Sequence, residues 1–478
     1  MRRLFLLLVF WGSMPAFFID PFYGIVHYSL INIIRPEQLL WGDQTAAGRV
    51  FLGSQAAIFL AWLFKKDDLK PEDTPVPFQI KIMLFLIVAI HISGLFGITL
   101  PALQSKWSSH FMKVTLFCFM LAKCMNSAKK LELYYAVTTF WFMLLQIWGI
   151  QQKLGGNERM EGLGGEQLGG VNELAAVAVL YFPMAYYMLY SRKKWIRIGV
   201  GIPTTVISLV FILFGGSRGA FLGLAVCIVL ILLRTPGLQK FKIIFTFVFV
   251  GTLLYFTLNL IAPEGFFDEY TARLQTITGE EDQTTGEVEY EGSASGRIAM
   301  WKAVYYFMRQ HPEFWLTGLG MRGFQARYFD YIDQIEPHLE PEEVGHIYYG
   351  GVGGKAIHNS YLNMLTSGGL LVFFPWLFLI FYAIIQAHFI SKKYPKIIEG
   401  VNIYNYAWAV EIGIIGVCVC MIFGNTEFVD FYYWFFLMSG IITNLGKAQQ
   451  RRERLGQEDE YEEEVTMVRR YPAYSSYH

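Results

Sequence analysis

The residue that most needs a chemical explanation is Arg218, in the stretch FILFGGSRGAFLGLAV. Its surroundings are apolar, and a charge placed within a membrane is costly enough to indicate function. Gly215, Gly216 and Gly219 flank it and would let a ligand or another backbone come close. A planar guanidinium binds phosphate through two hydrogen bonds, so Arg218 indicates an anion site. The alternative is an arginine that snorkels to the interface or pairs with a lipid phosphate.

Two further residues could act together with Arg218. Arg297 lies in GRIAMWKAVYYFMRQHP and His358 in IHNSYLNMLTSGGLLVFF, each near the expected start of a helix. A histidine titrates near neutral pH and can accept a proton as a general base. The plainer interpretations are an ordinary surface arginine for Arg297 and helix capping for the His358–Asn359 pair.

The composition predicts an all-α polytopic integral membrane protein to carry these residues. Of 478 residues, 54% are hydrophobic and 16% are charged, whereas soluble domains carry about 25% charged residues. The formal net charge is zero, so no bulk basic field indicates a nucleic-acid partner. All five cysteines lie in or beside apolar segments, which favours buried thiols. Because zinc, nucleotide and nucleophile-elbow motifs are missing from the sequence, we expect no metal and no cofactor.

Thirteen apolar segments are candidate transmembrane helices, and we expect twelve or thirteen spans in all. The first has the charge and apolar run of a signal peptide, but no clean cleavage site follows it, so we interpret it as a retained helix. The candidate segments are 4–19, 22–34, 48–64, 79–97, 111–123, 131–150, 172–190, 197–214, 218–233, 241–262, 360–386, 403–422 and 429–445.

Clusters of lysine and arginine orient these segments, because cytoplasmic loops are enriched in both residues. From Arg192 onward the topology is consistent, with clusters at 191–197, 234–242, 391–396 and 451–455. Together they place the long polar loop outside the cytoplasm, with Arg218, Arg297 and His358 on the same outer face.

The N-terminal half cannot satisfy the same rule at every cluster. Arg2–Arg3, KKDDLK and KCMNSAKK would all be cytoplasmic, which is impossible if every candidate segment spans the membrane. We therefore expect one early segment, such as 22–34, to dip into the membrane or lie in the interface.

The chain divides into four predicted regions. These are an N-terminal transmembrane bundle (1–262), an extracytoplasmic loop domain (263–359), C-terminal transmembrane helices (360–445) and a charged cytoplasmic tail (446–478). The tail has few aliphatic residues, so we expect it to be disordered.

The loop domain contains one predicted amphipathic helix. Ile298, Trp301, Tyr305 and Met308 recur near helical spacing. Ser295 is the expected cap, and a proline at 312 follows the end. We expect this helix to lie on the membrane or on the bundle.

Three stretches of the chain resemble signature regions of the O-antigen ligase and polymerase superfamily. They are SRGAFLGLA, GRIAMWKAVYYFMRQHPEFWLTGLGMRGF and HNSYLNMLTSGGLLVFF. The most specific element is a His-Asn pair with a glycine eleven residues after the histidine, here His358, Asn359 and Gly369. Family members often carry Gly, Thr or Tyr where this chain has Val372. The segments FFIDPFYGIVHYSLINIIRPEQLLWG and TARLQTI also resemble the branch of exosortase-associated O-glycosylation ligases.

This resemblance implies a metal-independent membrane glycosyltransferase, with membrane lipids as its surroundings. It would take a glycan from a polyprenyl-diphosphate carrier and attach it to an acceptor hydroxyl on a lipid, glycan or protein. His358 would be the general base, and Arg218 and Arg297 would hold the diphosphate. Further candidates for substrate contacts are Arg273, Arg322, Asn359 and Trp301. The implied location is the bacterial cytoplasmic membrane, with the site facing the periplasm and a role in polysaccharide synthesis for the cell envelope or exopolysaccharide.

Two other functions remain open from the sequence. A polymerase that joins lipid-linked repeats would use the same motifs and differ only in its acceptor. A transporter of lipid-linked glycan would use Arg218 as a binding charge, but transporters usually show internal repeats and polar residues at the bilayer midplane. The chain shows no clear repeat, and its charges lie at the outer helix ends.

Overall fold

The structure, a computed structural model, describes residues 2–35, 45–69, 72–155, 168, 170–261, 294–348 and 356–470. Within these ranges helices dominate, and the strands are one short antiparallel pair, β1 (Ile397–Ile398) with β2 (Val401–Asn402). The all-α prediction is therefore confirmed.

Each segment predicted to span the membrane corresponds to helical structure. The first group comprises α1 (Arg2–Ile19), α2 (Pro21–Ile34), α3 (Thr45–Lys65), α4 (Phe78–Phe96), α5 (Pro101–Cys124), α6 (Ala128–Leu154), α7 (Val171–Met188), α8 (Lys194–Ile196), α9 (Ile202–Phe214), α10 (Arg218–Arg234) and α11 (Gln239–Ile261). A π-helical turn, Arg197–Gly201, joins α8 to α9.

The outer domain and the C-terminal part complete the fold. We call residues 294–348 the outer domain, because they belong to the loop domain predicted to lie outside the cytoplasm. Its helices are α12 (Ala294–Gln310), α13 (Phe314–Thr317), α14 (Gly323–Arg327), α15 (Ile332–Ile335) and α16 (Pro341–Tyr348), with 3₁₀ turns at Tyr328–Tyr331 and Glu336–His338. The C-terminal helices are α17 (Ser360–Lys393), α18 (Ile403–Cys420) and α19 (Asp430–Arg470).

Five of the described helical stretches are long and apolar enough to cross a membrane. They are Phe78–Phe96, Ala128–Leu154, Lys194–Leu213, Ser360–Lys393 and Ile403–Cys420. This supports a multi-pass membrane protein, while the total of twelve or thirteen spans stays a prediction.

The N-terminal helices of the conflicting basic clusters are described by the structure. α1 and α2 form an antiparallel hairpin, in which Ser13 Oγ lies 3.1 Å from His27 Nδ1. At the turn, Asp20 pairs with Lys130 across 2.6 Å. At its other end α2 reaches Arg35, which interacts electrostatically with His110. Because α5 places His110 about 21 Å along its axis from the Lys130 end, the two ends of α2 lie at different levels of the bundle. The expectation that one early segment dips or lies in the interface stays a prediction.

The C-terminal tail that we expected to be disordered continues α19 as far as Arg470. Its sequence between the membrane and Pro472 is rich in Glu, Arg and Gln, which are good helix formers. The carboxylate of Asp73, 2% exposed, accepts hydrogen bonds from Arg451 (2.7 Å) and Arg452 (2.6 Å). These bonds fix the start of the tail to the loop before α4.

The predicted apolar face of α12 is confirmed only in part, because Met308 is buried and Trp301 packs against the core of the outer domain, whereas the other two residues are exposed. Ile298 is 46% exposed and Tyr305 is 59% exposed, whereas Met300, Val304 and Phe307 are buried. The helix also begins at Ala294, before the expected Ser295 cap. The buried side packs into a separate core of the outer domain. Helical spacing alone could not choose between neighbouring apolar faces, because contacts within the outer domain decide which one is buried.

The outer domain joins the bundle through close backbone contacts around Gly369. This residue has φ +57° and interrupts α17. A Cβ added to it would lie 2.6 Å from the amide nitrogen of Gly318. The amide of Leu319 donates to the Thr366 carbonyl (2.8 Å), and the Leu319 carbonyl accepts from Ile98 (2.9 Å). The junction therefore requires glycine at the points of closest approach.

Replacing Gly369 with alanine should destabilise the protein markedly. The alanine would have to keep the φ of +57°, which residues other than glycine rarely adopt, and its Cβ would clash with the backbone of residues 316–318. Together these effects should cost about 2 kcal/mol or more. Thermal unfolding in detergent, followed by tryptophan fluorescence, should show a melting temperature several degrees lower. Gly345→Ala is the matched control, since α16 has open space there and alanine favours a helix interior. Equal melting temperatures for both variants would contradict the claim that close packing at the junction requires glycine at position 369.

Candidate functional site

Arg218 occupies the first position of α10. The residue before it, Ser217, makes no side-chain capping bond to the helix. The amino end of a helix carries a partial positive charge and exposes N–H groups, which favours anions. The guanidinium of Arg218 thus lies where the backbone already favours negative charge.

The connection between α18 and α19 holds the start of α10 close to the start of α17. On one side, Cys420 Sγ donates to the Gly219 carbonyl (3.4 Å). On the other, the Ser360 amide donates to the Met421 carbonyl (2.8 Å), and Ser360 Oγ donates to the Gly424 carbonyl (2.7 Å). Two stretches that are distant in sequence, those of Arg218 and His358, therefore meet at residues 420–424.

Gly219 has one of the two roles that we expected, since it lets another stretch of the chain come close to the start of α10. A Cβ at Gly219 would lie 3.0 Å from the Cβ of Phe423. This glycine therefore makes room for the packing of Phe423 rather than for a ligand.

Helix α12 brings Arg297 to the same place. Arg297 is half-buried and its Nε finds no hydrogen-bond acceptor among the described residues. Burial lowers the pKa of the Arg297 guanidinium, and the nearby cation of Arg218 lowers it further. One turn further along α12, Trp301 Nε1 donates to the carbonyl of Ile357, the residue before His358 (3.0 Å). The same helix thus contacts both the arginine and the histidine stretches.

His358 adopts a left-handed backbone with φ +52°. Such a conformation costs about 1–3 kcal/mol for a residue other than glycine and is found preferentially at functional sites. Asn359 caps α17, because its Oδ1 accepts from the amides of Tyr361 and Leu362 (3.0 Å each). The capping interpretation therefore holds for Asn359, whose oxygen is already used by the protein.

Arg322 also has a left-handed backbone, with φ +53°. Its guanidinium lies 3.7 Å from Glu427 Oε1 and 4.5 Å from the ring centroid of Trp107. Its amide donates to Ser367 Oγ (3.0 Å). Arg322 thus has protein partners for its charge and its backbone, and its Nε is buried with no acceptor among the described residues.

Glu427 is the main site residue that the sequence interpretation missed. Its side chain is fully buried, and it accepts a hydrogen bond from Asn363. Burial raises the pKa of Glu427, against the lowering effect of Arg322. Glu173, at the start of α7, interacts electrostatically with both Arg322 and Glu427. An acidic residue at the outer end of an apolar span was the signal that could have found Glu427.

A second polar pair lies beside this group. His110 Nε2 is 2.9 Å from Asp430 Oδ1, and the Asp430 side chain is 6% exposed. Trp107 connects the two groups, because its ring packs against Phe428 at 4.9 Å and beneath Arg322. The outer end of the bundle therefore holds cations, carboxylates and imidazoles within one set of packed elements.

Other predicted site features have simpler outcomes. Arg273 lies outside the described residues. All five cysteines are free thiols. Within the described ranges, no group of three or more His, Cys, Asp and Glu side chains is placed to hold a metal ion.

This arrangement suits the binding of an anion and the transfer of a proton next to it. Two arginines that repel each other gain stability when a negative group lies between them. A histidine on the stretch that α12 also contacts could accept a proton from a hydroxyl.

One family model matches part of the chain. Residues 203–377 match the family model described as O-Antigen ligase. The matched region contains Arg218, Arg297, Arg322 and His358. No curated protein matches the chain significantly. The resemblance to the superfamily is confirmed, and the exosortase-associated branch stays a prediction.

The buried carboxyl of Glu427 should make stability depend on pH. Its pKa is raised by folding, so its contribution is complete below the ordinary pKa of 4.5 and is lost as the pH rises through the folded-state value. Glu427→Gln should therefore become more stable relative to the wild type as the pH rises from about 4.5 to 8, with a gap of about 2 °C or more. Melting temperatures across a pH series measure this.

Glu343→Gln is the control for this experiment. The hydrogen bond from Lys302 lowers the pKa of Glu343 below its ordinary value of 4.5, so the contribution of this carboxyl is lost only below that pH. Glu343→Gln should therefore keep a nearly constant difference in stability from the wild type between about pH 4.5 and 8. Parallel melting curves for wild type and Glu427→Gln would contradict a raised pKa.

Proposed function

Since the chain carries an O-antigen ligase region at residues 203–377, we propose that it transfers a glycan from a polyprenyl-diphosphate carrier to an acceptor hydroxyl outside the cytoplasm. The family supports the coarser conclusion, a membrane enzyme of glycan ligation or polymerisation. The observation that carries the finer proposal is that α12 contacts the stretches of both Arg218 and His358. Arg297 interacts electrostatically with Arg218, and Trp301 donates a hydrogen bond to the backbone next to His358.

Arg218 and Arg297 hold the diphosphate of the donor. Charge-assisted hydrogen bonds between guanidinium and phosphate are short, strong and frequently bidentate. The diphosphate gains negative charge as the bond between the sugar and its phosphate oxygen breaks. Fixed cations that stabilise this developing charge lower the barrier without reorganising during the reaction.

His358 accepts the proton of the acceptor hydroxyl while that oxygen attacks the anomeric carbon of the donor sugar. The new glycosidic bond forms to the acceptor oxygen, the carrier diphosphate leaves with the bonding electrons, and the proton passes from His358 to solvent. The left-handed backbone at 358 and the cap at Asn359 support a fixed orientation of the imidazole.

The remaining candidates position these groups. Trp301 holds the backbone at Ile357 and so acts on His358 indirectly. Glu427, which is fully buried, pairs with the partly buried Arg322, and Glu173 interacts electrostatically with both. Because that pair compensates its own charge, Arg322 is a positioning residue rather than part of the diphosphate clamp.

Replacing His358 with alanine should abolish transfer. Loss of a general base typically reduces the rate about 10²–10⁴-fold. The assay combines purified protein, a polyprenyl-diphosphate glycan and an acceptor, with EDTA present throughout, and detects product by mass spectrometry. His338→Ala is the control, because this exposed histidine bonds Gln310 on the outer domain and should keep full activity. Normal turnover by a folded His358→Ala variant would show that His358 is not the general base.

Conservative changes of the arginines should test the clamp. Arg218→Lys and Arg297→Lys keep the charge but lose the bidentate fork. We expect each to reduce kcat/KM for the donor about 10–100-fold, the equivalent of one lost charged hydrogen bond, with the acceptor KM unchanged. Arg309→Lys, exposed in the last turn of α12, should behave as the wild type. A change confined to the acceptor KM would show that the arginines do not bind the donor diphosphate.

The same assay separates ligase from polymerase. A ligase forms product with an acceptor that is not lipid-linked to a second donor unit, whereas a polymerase forms only longer lipid-linked chains.

A further inference from the structure

A groove opens on the side of the bundle between α4 and α17. Its volume is about 420 Å³, and it is lined by Phe78, Lys81, Ile82, Phe85, Phe374, Pro375 and Phe378. This volume falls within the range of about 300–1,000 Å³ that is typical of ligand sites. Lys81 is the only lining residue that carries a charge.

The groove lies at the opposite end of α4 from the proposed active site. The outer end of α4 reaches Gly97, next to Ile98, whose amide donates to the Leu319 carbonyl of the outer domain. Lys81 is sixteen residues earlier, about 24 Å along the helix. The basic segment that follows α3 enters the cytoplasm by the positive-inside rule, so Lys81 lies at the level of the cytoplasmic leaflet.

The walls of the groove face the membrane. Phe374 is 58% exposed, Phe378 is 50% exposed and Phe85 is 48% exposed. The ring of Phe78 packs against Phe378 at 6.4 Å and against Tyr382 at 5.3 Å, which forms the end near Lys81. Exposed rings at this depth are covered by lipid rather than by water.

Charge distinguishes which lipid fits. Lys81 is exposed, and among the described residues it makes no ion pair that would neutralise it. Basic positions between transmembrane helices on the cytoplasmic side attract anionic headgroups. An ammonium beside an aromatic groove thus complements a phosphate attached to an acyl chain.

We propose that this groove binds one anionic phospholipid of the cytoplasmic leaflet. Its phosphate lies at Lys81, and one acyl chain packs along Phe374, Pro375 and Phe378. The carrier lipid of the donor is the less suitable occupant, because its diphosphate would have to reach the arginines at the outer face. The inference is independent of the proposed transfer reaction.

Native mass spectrometry of the detergent-purified protein tests this site. The probe is an equimolar mixture of phosphatidylglycerol and phosphatidylcholine. Wild type should retain one phosphatidylglycerol in preference to phosphatidylcholine, and Lys81→Ala should bind it about fivefold more weakly. Lys81→Arg should keep the preference, and Phe378→Ala should weaken retention of the same lipid.

Lys242→Ala is the matched control. It removes an exposed lysine near the start of α11, at the same side of the membrane but away from the groove, and should retain the lipid as the wild type does. Equal retention of both lipids by the wild type, or unchanged binding by a folded Lys81→Ala variant, would overturn the proposal. Displacement of phosphatidylglycerol by a tenfold lower concentration of polyprenyl phosphate would also overturn it, by assigning the groove to the carrier chain.

Discussion

The outer end of this protein depends on how two arginine cations are kept close together in a partly buried place. Arg218 and Arg297 repel each other, and burial already disfavours the charge on Arg297. Contacts elsewhere in the fold offset this cost. The start of α10 packs against residues 420–424, and α12 is held by its own apolar core. A fold that maintains repulsion between like charges stores binding energy for an anion.

Several buried polar groups support this arrangement from below. Glu427 compensates Arg322, Asn363 donates to the same carboxylate, and Ser360 ties the start of α17 to the connection after α18. In a low-dielectric interior such a network is strong when its members are paired and costly when one is removed. The left-handed backbones of Arg322 and His358 fit this interpretation, because strained conformations persist only where the surrounding structure fixes them.

The sequence was sufficient to predict the helices and to identify residues whose charge is costly to place in an apolar segment. Long apolar runs can only be helices in a membrane, and Arg218 was visible as a charge in such a run. The buried face of α12 was not predictable, since Ile298 and Met300 are equally apolar and only tertiary contacts distinguish them. Glu427 and Glu173 were missed because their importance comes from partners in other helices. Disorder of the tail was predicted from its high charge. High charge indicates that the tail is solvated, but it does not prevent the tail from forming a helix.

The pairing of Asp73 with the tail determines how far the chain can be shortened from its C-terminal side. This carboxylate is almost completely enclosed, and both of its guanidinium partners follow the last membrane helix. A protein shortened before residue 451 would keep an enclosed anion and lose its neutralising neighbours. The boundary between dispensable tail and integral membrane protein therefore falls after Arg452, several residues beyond the point that hydropathy would choose.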